Sequence, residues 1–209
     1  MIAALIIVFR EIIEAGLVVG IVLAATRGVP SRGLWVGYGV AVGVAGACLV
    51  AVFAGAIANA FAGSGQELFN AVILLAAVVM LAWHNVWMSR HGREIATRMK
   101  AVGKAVAAGS RTMAALAIVV GIAVLREGSE VVLFLYGIAM SSKESAIAMV
   151  TGGVTGVLLG AGVSAMMYYG LLRIPARHLF SVTSWLLALL AAGMAAQAVA
   201  FLQLAGIVT

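Results

Sequence analysis

Arg10-Glu11-Ile12-Ile13-Glu14 and Arg126-Glu127-Gly128-Ser129-Glu130 decide how the rest of the chain reads. Both are R-E-x-x-E, and each lies near the middle of an apolar run long enough to cross a bilayer. Ionised side chains at that depth cost on the order of 2.5–3.5 kcal/mol apiece, even on a lenient insertion scale. Each residue of an α-helix advances about 100°, so with Arg10 at zero Glu14 falls at about 40° and Glu11 at about 100°. The guanidinium and both carboxylates therefore share one face, which has to point into a helix bundle and not at lipid. If the two faces meet, four carboxylates confront two arginines and leave a formal excess of two negative charges. Protons or a bound cation would cancel that excess. Carboxylate oxygens are hard ligands suited to hard cations, and arginines can brace such ligands as outer partners do at metal sites. A pair of buried ion-pair clamps is the competing reading. It explains less, because desolvation offsets the attraction within a buried pair, and a clamp has no need of two acids per arginine.

The surrounding composition sets the class. Of 209 residues, 65% are hydrophobic and 10% charged, and the mean hydropathy is +1.19. That balance belongs to an integral membrane protein. The strand-like alternation of a barrel is missing, so the fold class is all-α and polytopic. Six transmembrane helices are expected, at 1–25, 34–58, 68–89, 112–138, 146–171 and 179–204. Trp83, Trp87 and Arg90 give the third an aromatic and basic border.

The net charge of +6 carries no nucleic-acid signal, because six of the 13 basic residues fall in residues 90–111. In that stretch Ile95, Met99, Val102 and Val106 recur on one face, which predicts an amphipathic helix lying on the cytoplasmic membrane surface against lipid. Basic residues gather in the first, third and fifth loops. The positive-inside rule then puts those loops in the cytoplasm and both ends of the chain outside. The single Cys48 allows no intrachain disulfide. The first span lacks the basic leader of a cleavable signal peptide.

The two motifs stand 116 residues apart, and each opens a set of three spans. The middle span of each set is rich in glycine: Gly37, Gly39, Gly43, Gly46 and Gly55 in one, Gly152, Gly153, Gly156, Gly160 and Gly162 in the other. Small residues let helix backbones approach closely in lipid. The third spans open alike, with Leu68-Phe69 and Leu179-Phe180. An odd number of spans per unit turns the second unit upside down. The chain thus reads as a single transmembrane domain, 1–209, holding an inverted 3+3 repeat: unit one at 1–89, a basic connector at 90–111 and unit two at 112–209. Such repeats place their substrate site near the bilayer midplane.

Other polar residues within the spans are weaker candidates. His84, Met80 and Met88 fall at i,i+4 and suit a soft-metal stripe, although Met more often fills gaps in packing. His91 and His178 sit at span borders, where solvation explains them. Gln197, Gln203, Thr183 and Ser184 read as interhelical hydrogen-bonding groups. Inside the second motif, Gly128 and Ser129 are expected to leave room beside the glutamates, with the Ser129 hydroxyl on a carboxylate or a water.

The stretches REIIEAGLVVGIVL, QELFNAVILLAAVVMLAW, REGSEVVLFLYG and LLALLAAGMAAQAVAFL together resemble the iron permease family, which comprises the oxidase-dependent iron permeases of fungi and the Efe-type permeases of bacteria. The resemblance spans nearly the whole chain. It implies import of iron, as transported substrate and with no organic cofactor, by a protein that is not an enzyme. Carried over by position, Glu11, Glu14, Glu127 and Glu130 would be metal ligands, with Arg10 and Arg126 orienting them. Glu67, at the outer start of the third span, would draw the ion inward. The resemblance also implies an extracytoplasmic partner: a multicopper ferroxidase in fungi, an iron-binding or peroxidase protein in bacteria. Two departures stand out. Asn70 occupies a position where family members often carry a second acid. The six spans fall one short of the family's usual seven, which bears on the carboxyl-terminal topology and on any homo-oligomer. Three rivals remain: a transporter of another cation such as lead or manganese, a membrane-embedded metalloenzyme in which His84 assists, and a non-transporting subunit locked by its buried charges.

Overall fold

The computed structural model describes residues 1–60, 66–141, 145–170 and 176–207. Lys143, Glu144 and Arg173, which contribute to the loop charges above, lie outside the described residues, as do the side chains of Arg177, His178, Leu179 and Phe180. Every regular element among the described residues is a helix: α1 (Ile2–Ala25), α2 (Arg32–Ala60), α3 (Gln66–Ala107), α4 (Ala114–Ser141), α5 (Ala146–Tyr168) and α6 (Ala176–Leu204).

Four of these contain a segment long and apolar enough to cross a membrane: Arg32–Ala58, Glu67–Met88, Ala146–Tyr168 and Ser181–Leu204. Helices α1 and α4, of 24 and 28 residues, match them in length but carry the charged motifs. Val52, Phe53, Val79, Trp83, Ile122, Leu158, Trp185 and Leu189 stand exposed around the outside. So broad an apolar exterior is solvated by lipid, and the chain is a multi-pass membrane protein.

Two of the three main helix pairings follow the glycines. α1 packs along α5, α2 along α4, and α3 along α6, while α1 and α4 also meet each other. A Cβ added at Gly43 of α2 would lie 2.7 Å from the Gly121 carbonyl oxygen of α4, and one at Gly39 would lie 2.6 Å from the Ala117 carbonyl oxygen. On the other side, a Cβ at Gly156 of α5 would lie 2.8 Å from the Leu5 carbonyl oxygen of α1. Backbone against backbone at this range is open only to glycine, and it yields the van der Waals contact that holds helices together in lipid. The chain leaves α1 through Gly28, whose φ of 86° suits a residue without a Cβ. Arg32 reaches back from α2 and donates to the Leu23 carbonyl of α1 at 2.8 Å, satisfying one of the orphan acceptors at that helix end.

The basic stretch is not a separate surface helix. It continues α3, which runs 42 residues to Ala107 without a break. Neither Gly92 nor Gly103 interrupts it, and no proline falls in the run. The apolar face predicted there exists, but its far end covers protein and not lipid. Val106 is buried with Val22, Val36, Leu116, Val120 and Val124, and Met99 packs on the same cluster. A Cβ at Gly103 would lie 2.5 Å from the Ala25 side chain of α1. A groove formed by the ends of α1, α2 and α4 thus takes the place that the sequence reading gave to the bilayer surface. On the outward face Arg98 pairs with Glu94 at 2.6 Å, an exposed contact worth only about 0.3–0.5 kcal/mol.

Candidate metal centre

The buried seam of α1 runs Ala4, Ile7, Glu11, Glu14, Val18 and Val22, the three-to-four residue spacing of a helix face turned to the core. On α4 the buried positions Val120, Val124, Glu127, Glu130, Phe134 and Ile138 repeat it. Both acids of each motif are therefore continuous with an apolar packing stripe, and where α1 meets α4 the two pairs converge. Arg10, Glu11 and Glu14 are each at most 2% exposed, and Glu127 and Glu130 are 7% and 9% exposed.

Within this cluster the acids divide by how they are held. Arg10 Nε lies 3.0 Å from Glu14 Oε1, and Arg126 Nε donates to Glu130 Oε1 at 3.2 Å. In both motifs the arginine grips the glutamate one turn later and leaves the adjacent one loose: Arg10 Nη1 to Glu11 is 3.7 Å, and Arg126 Nε to Glu127 is 4.0 Å. Both Glu11 oxygens and Glu127 Oε2 are buried without a hydrogen-bond partner; Glu14 Oε1 and Glu130 Oε2 also lack one but have ion-pair contacts, with Arg10 and His84. Such atoms carry the full desolvation penalty unless something else satisfies them. The two arginines differ in setting. Arg10 is enclosed, whereas Arg126 is 39% exposed along its side chain and lies with its guanidinium carbon 4.5 Å from the centre of the Trp87 ring, a cation–π contact.

The sequence reading gave too little weight to His84. It is 2% exposed and belongs to the buried face of α3 that includes Asn70, Leu74, Ala77 and Leu81. Its Nε2 lies 3.1 Å from Glu14 Oε2, and its Nδ1 lies 2.5 Å from Glu130 Oε2. One ligand atom each from Glu11, His84, Glu127 and Glu130 lies within 4.8 Å of the others. A first-row metal ion held at roughly 2.1 Å from its ligands fits a cluster of that span. The available signal was an ionisable ring inside a span, which by default marks a functional position. Grouping His84 with methionines obscured it. Met80 packs instead against the Ile7, Leu81 and Phe134 cluster, and Met88 lines a cavity.

Other candidates land elsewhere. Glu67 is exposed in the first turn of α3, where a helix N-terminus favours an acid. It stands 17 residues, about 25 Å of rise, from His84 and does not join the cluster. Asn70 is buried near that same end. Ser129 does not reach a carboxylate, because its hydroxyl donates to the Leu125 carbonyl of its own helix at 2.7 Å. Gly128 makes room for α2 and not for the glutamates: a Cβ there would lie 2.6 Å from the Ala47 methyl. His91 accepts solvent less than expected, since it stacks on Trp87 with ring centres 5.2 Å apart. Ser184 donates to Asn85 Oδ1 at 2.6 Å and ties α6 to α3.

Among the described residues, a cavity reaches the cluster from one side. This cavity, of 880 Å³ between α1, α3 and α6, has Arg10 and Glu14 at its inner end and runs past Ile21, Ile95 and Ala96, toward the end where the basic stretch lies. On the opposite side, toward Glu67, the helices close on packed apolar residues, with Ile7, Leu81, Phe134 and Ile138 in one cluster and Leu74, Ala77, Met194 and Ala198 in the next.

A ferrous iron permease, EfeU, of Escherichia coli O6:H1 strain CFT073 is 31% identical over 206 residues, covering 96% of this chain and 73% of that protein. The protein of the same name in Shigella sonnei strain Ss046 is 30% identical over 205 residues, with the same coverage of both chains. That of Yersinia pestis is 29% identical over 205 residues, covering 96% of this chain and 72% of its own. No solved structure matches the chain. The family model of the FTR1 iron permeases matches residues 1–208, and the chain belongs to that family of transporters.

Proposed function

We propose that this protein imports ferrous iron across the plasma membrane through the site formed by its two R-E-x-x-E helices. The observation that carries the reading is the convergence of Glu11, Glu127 and Glu130 with the His84 imidazole between α1, α3 and α4, with Glu14 on the other ring nitrogen. Four carboxylates against two arginines leave a formal −2, which one divalent ion balances. The relatives named as ferrous iron permeases support iron as that ion.

The six helices form an inverted repeat in this reading. Exchanging α1 with α4, α2 with α5 and α3 with α6 maps each of the main helix pairings onto another or onto itself, as a two-fold axis in the membrane plane would. Helices α1 and α4 then cross the membrane with the other four, and the basic end of α3 lies in the cytoplasm. Iron arrives at the Glu67 end, where an extracytoplasmic partner delivers it, passes the apolar closure between α3, α4 and α6, and exchanges water for carboxylate oxygens at the site. The cavity beyond Glu14 is the inward leg of the route. Manganese or lead on the same scaffold is the reading to be excluded.

Purified protein in liposomes loaded with an iron(II)-chelating dye tests this directly. Wild-type vesicles should quench the dye faster than empty ones, and excess manganese or lead should compete only weakly. Quenching no faster than in empty vesicles would overturn transport by this chain. Arg10→Lys should lower the same rate about tenfold, because a flexible ammonium cannot hold Glu14 in place as the planar guanidinium at 3.0 Å does.

A further inference from the structure

His84 lies outside both motifs, yet each of its ring nitrogens addresses a different one: Nε2 faces Glu14 of α1 and Nδ1 faces Glu130 of α4. A neutral imidazole has one N–H and one lone pair. It can donate to one carboxylate only, and its other nitrogen then turns a lone pair toward the lone pairs of the second. Nδ1 and Glu130 Oε2 are the pair between which a proton or a metal ion has to be shared. They lie 2.5 Å apart, both are buried, and neither has a well-aligned hydrogen bond. A metal ion that takes the proton's place would be bound by both atoms, with the pair opening slightly to admit it. Glu11 and Glu127 bring the unpartnered oxygens described above to the same point.

Resting on the reading of this cluster as the ion site, we infer that His84 is the residue that sets metal preference, by placing one imidazole nitrogen in an otherwise all-oxygen ligand set. Carboxylates alone suit magnesium, calcium and manganese, whereas imidazole suits iron, nickel, copper and zinc. Calcium also seeks six to eight oxygens at about 2.3–2.6 Å, and magnesium gives up its water reluctantly. One nitrogen therefore favours ferrous iron over the hard ions that outnumber it, and widens the narrow gap between iron and manganese. The glutamates supply the charge that any divalent ion needs, and the histidine supplies the discrimination.

A purely structural strut between α1, α3 and α4 predicts something different, and two variants separate the readings. His84→Gln keeps a donor and an acceptor between the two carboxylates but removes the nitrogen ligand. His84→Asp makes the set all-oxygen. With Mn2+ as the probe, pulsed electron paramagnetic resonance of the full-length protein in detergent should show coupling to a directly bound imidazole 14N. That coupling should vanish in His84→Gln. Competition binding should show the Fe2+ to Mn2+ affinity ratio falling about tenfold or more in both variants, mostly through weaker Fe2+ binding, with the melting temperature of His84→Gln close to wild type. Bound Mn2+ without 14N coupling, or an unchanged ratio in folded variants, would overturn the role of His84 while leaving the glutamate site standing. A uniform loss for every metal together with a lowered melting temperature would also overturn it, in favour of the strut. Wild-type protein that binds no divalent ion would sink the site and the inference together.

Discussion

Glu11→Gln combined with Glu127→Gln is expected to cut iron accumulation in proteoliposomes at least about 100-fold, since loss of outer partners alone costs about 10–100-fold in metal affinity. The same double variant is expected to melt no lower than the wild type. Both halves of that outcome follow from how the acids are held. Glu11 and Glu127 have only distant contacts with their arginines, at 3.7 and 4.0 Å, and three of their four oxygens have no partner. A buried carboxylate without a partner destabilises the fold, so an amide of the same size relieves the protein even as it disarms the site. The formal charge of the two motifs rises from −2 to zero, and the attraction for a divalent ion goes with it. Glu14 and Glu130 should behave differently. Removing either strands an arginine, and breaking a buried pair typically costs about 3–5 kcal/mol, so those variants should lose stability as well as transport. Vesicle uptake and a thermal melt on the same preparation check both statements. Undiminished uptake by the double variant would remove these two acids from the ion's path.

Gly156→Val is expected to be severely damaging although it lies outside the ion site. Its Cβ would meet the Leu5 carbonyl oxygen at 2.8 Å, the Phe9 amide nitrogen at 3.0 Å and Val8 Cβ at 3.0 Å. Two of those three atoms are backbone, which cannot swing aside. Overpacking of yielding cores costs about 1–3 kcal/mol, and separation of α1 from α5 should exceed it. Size-exclusion profiles and melting temperature in detergent would register the loss. Gly162→Val, six residues along the same helix, meets nothing within 4 Å and serves as the neutral control. Equal behaviour of the two variants would show that close approach at Gly156 does not hold α1 to α5.

Much of this architecture is legible in the order of residues, because lipid removes most alternatives. A charged face inside an apolar run has to turn inward, so the arc from Arg10 through Glu14 to Glu11 points at a partner before any partner is known. The glycine stripes of α2 and α5 announce tight contacts for the same reason, although only the structure tells which helix fills each. What stayed hidden depends on distance between helices. Nothing local to His84 says that two motifs from different helices converge on it. Ser129 and Gly128 were assigned to the carboxylates by proximity in sequence, yet a hydroxyl in a helix finds the carbonyl four residues back, and a missing side chain on that turn of α4 faces α2. The connector was misjudged because an apolar stripe has the same spacing whether it meets lipid or the ends of neighbouring helices.

The glycine contacts also bind the two ends of the chain to each other's fate. α2 grips α4 and α5 grips α1, so a cut between α3 and α4 would leave each fragment holding a groove with nothing in it. Such a fragment could bury that groove only by embracing a second molecule. The shape of the grip makes one polypeptide out of what would otherwise be an obligate pair.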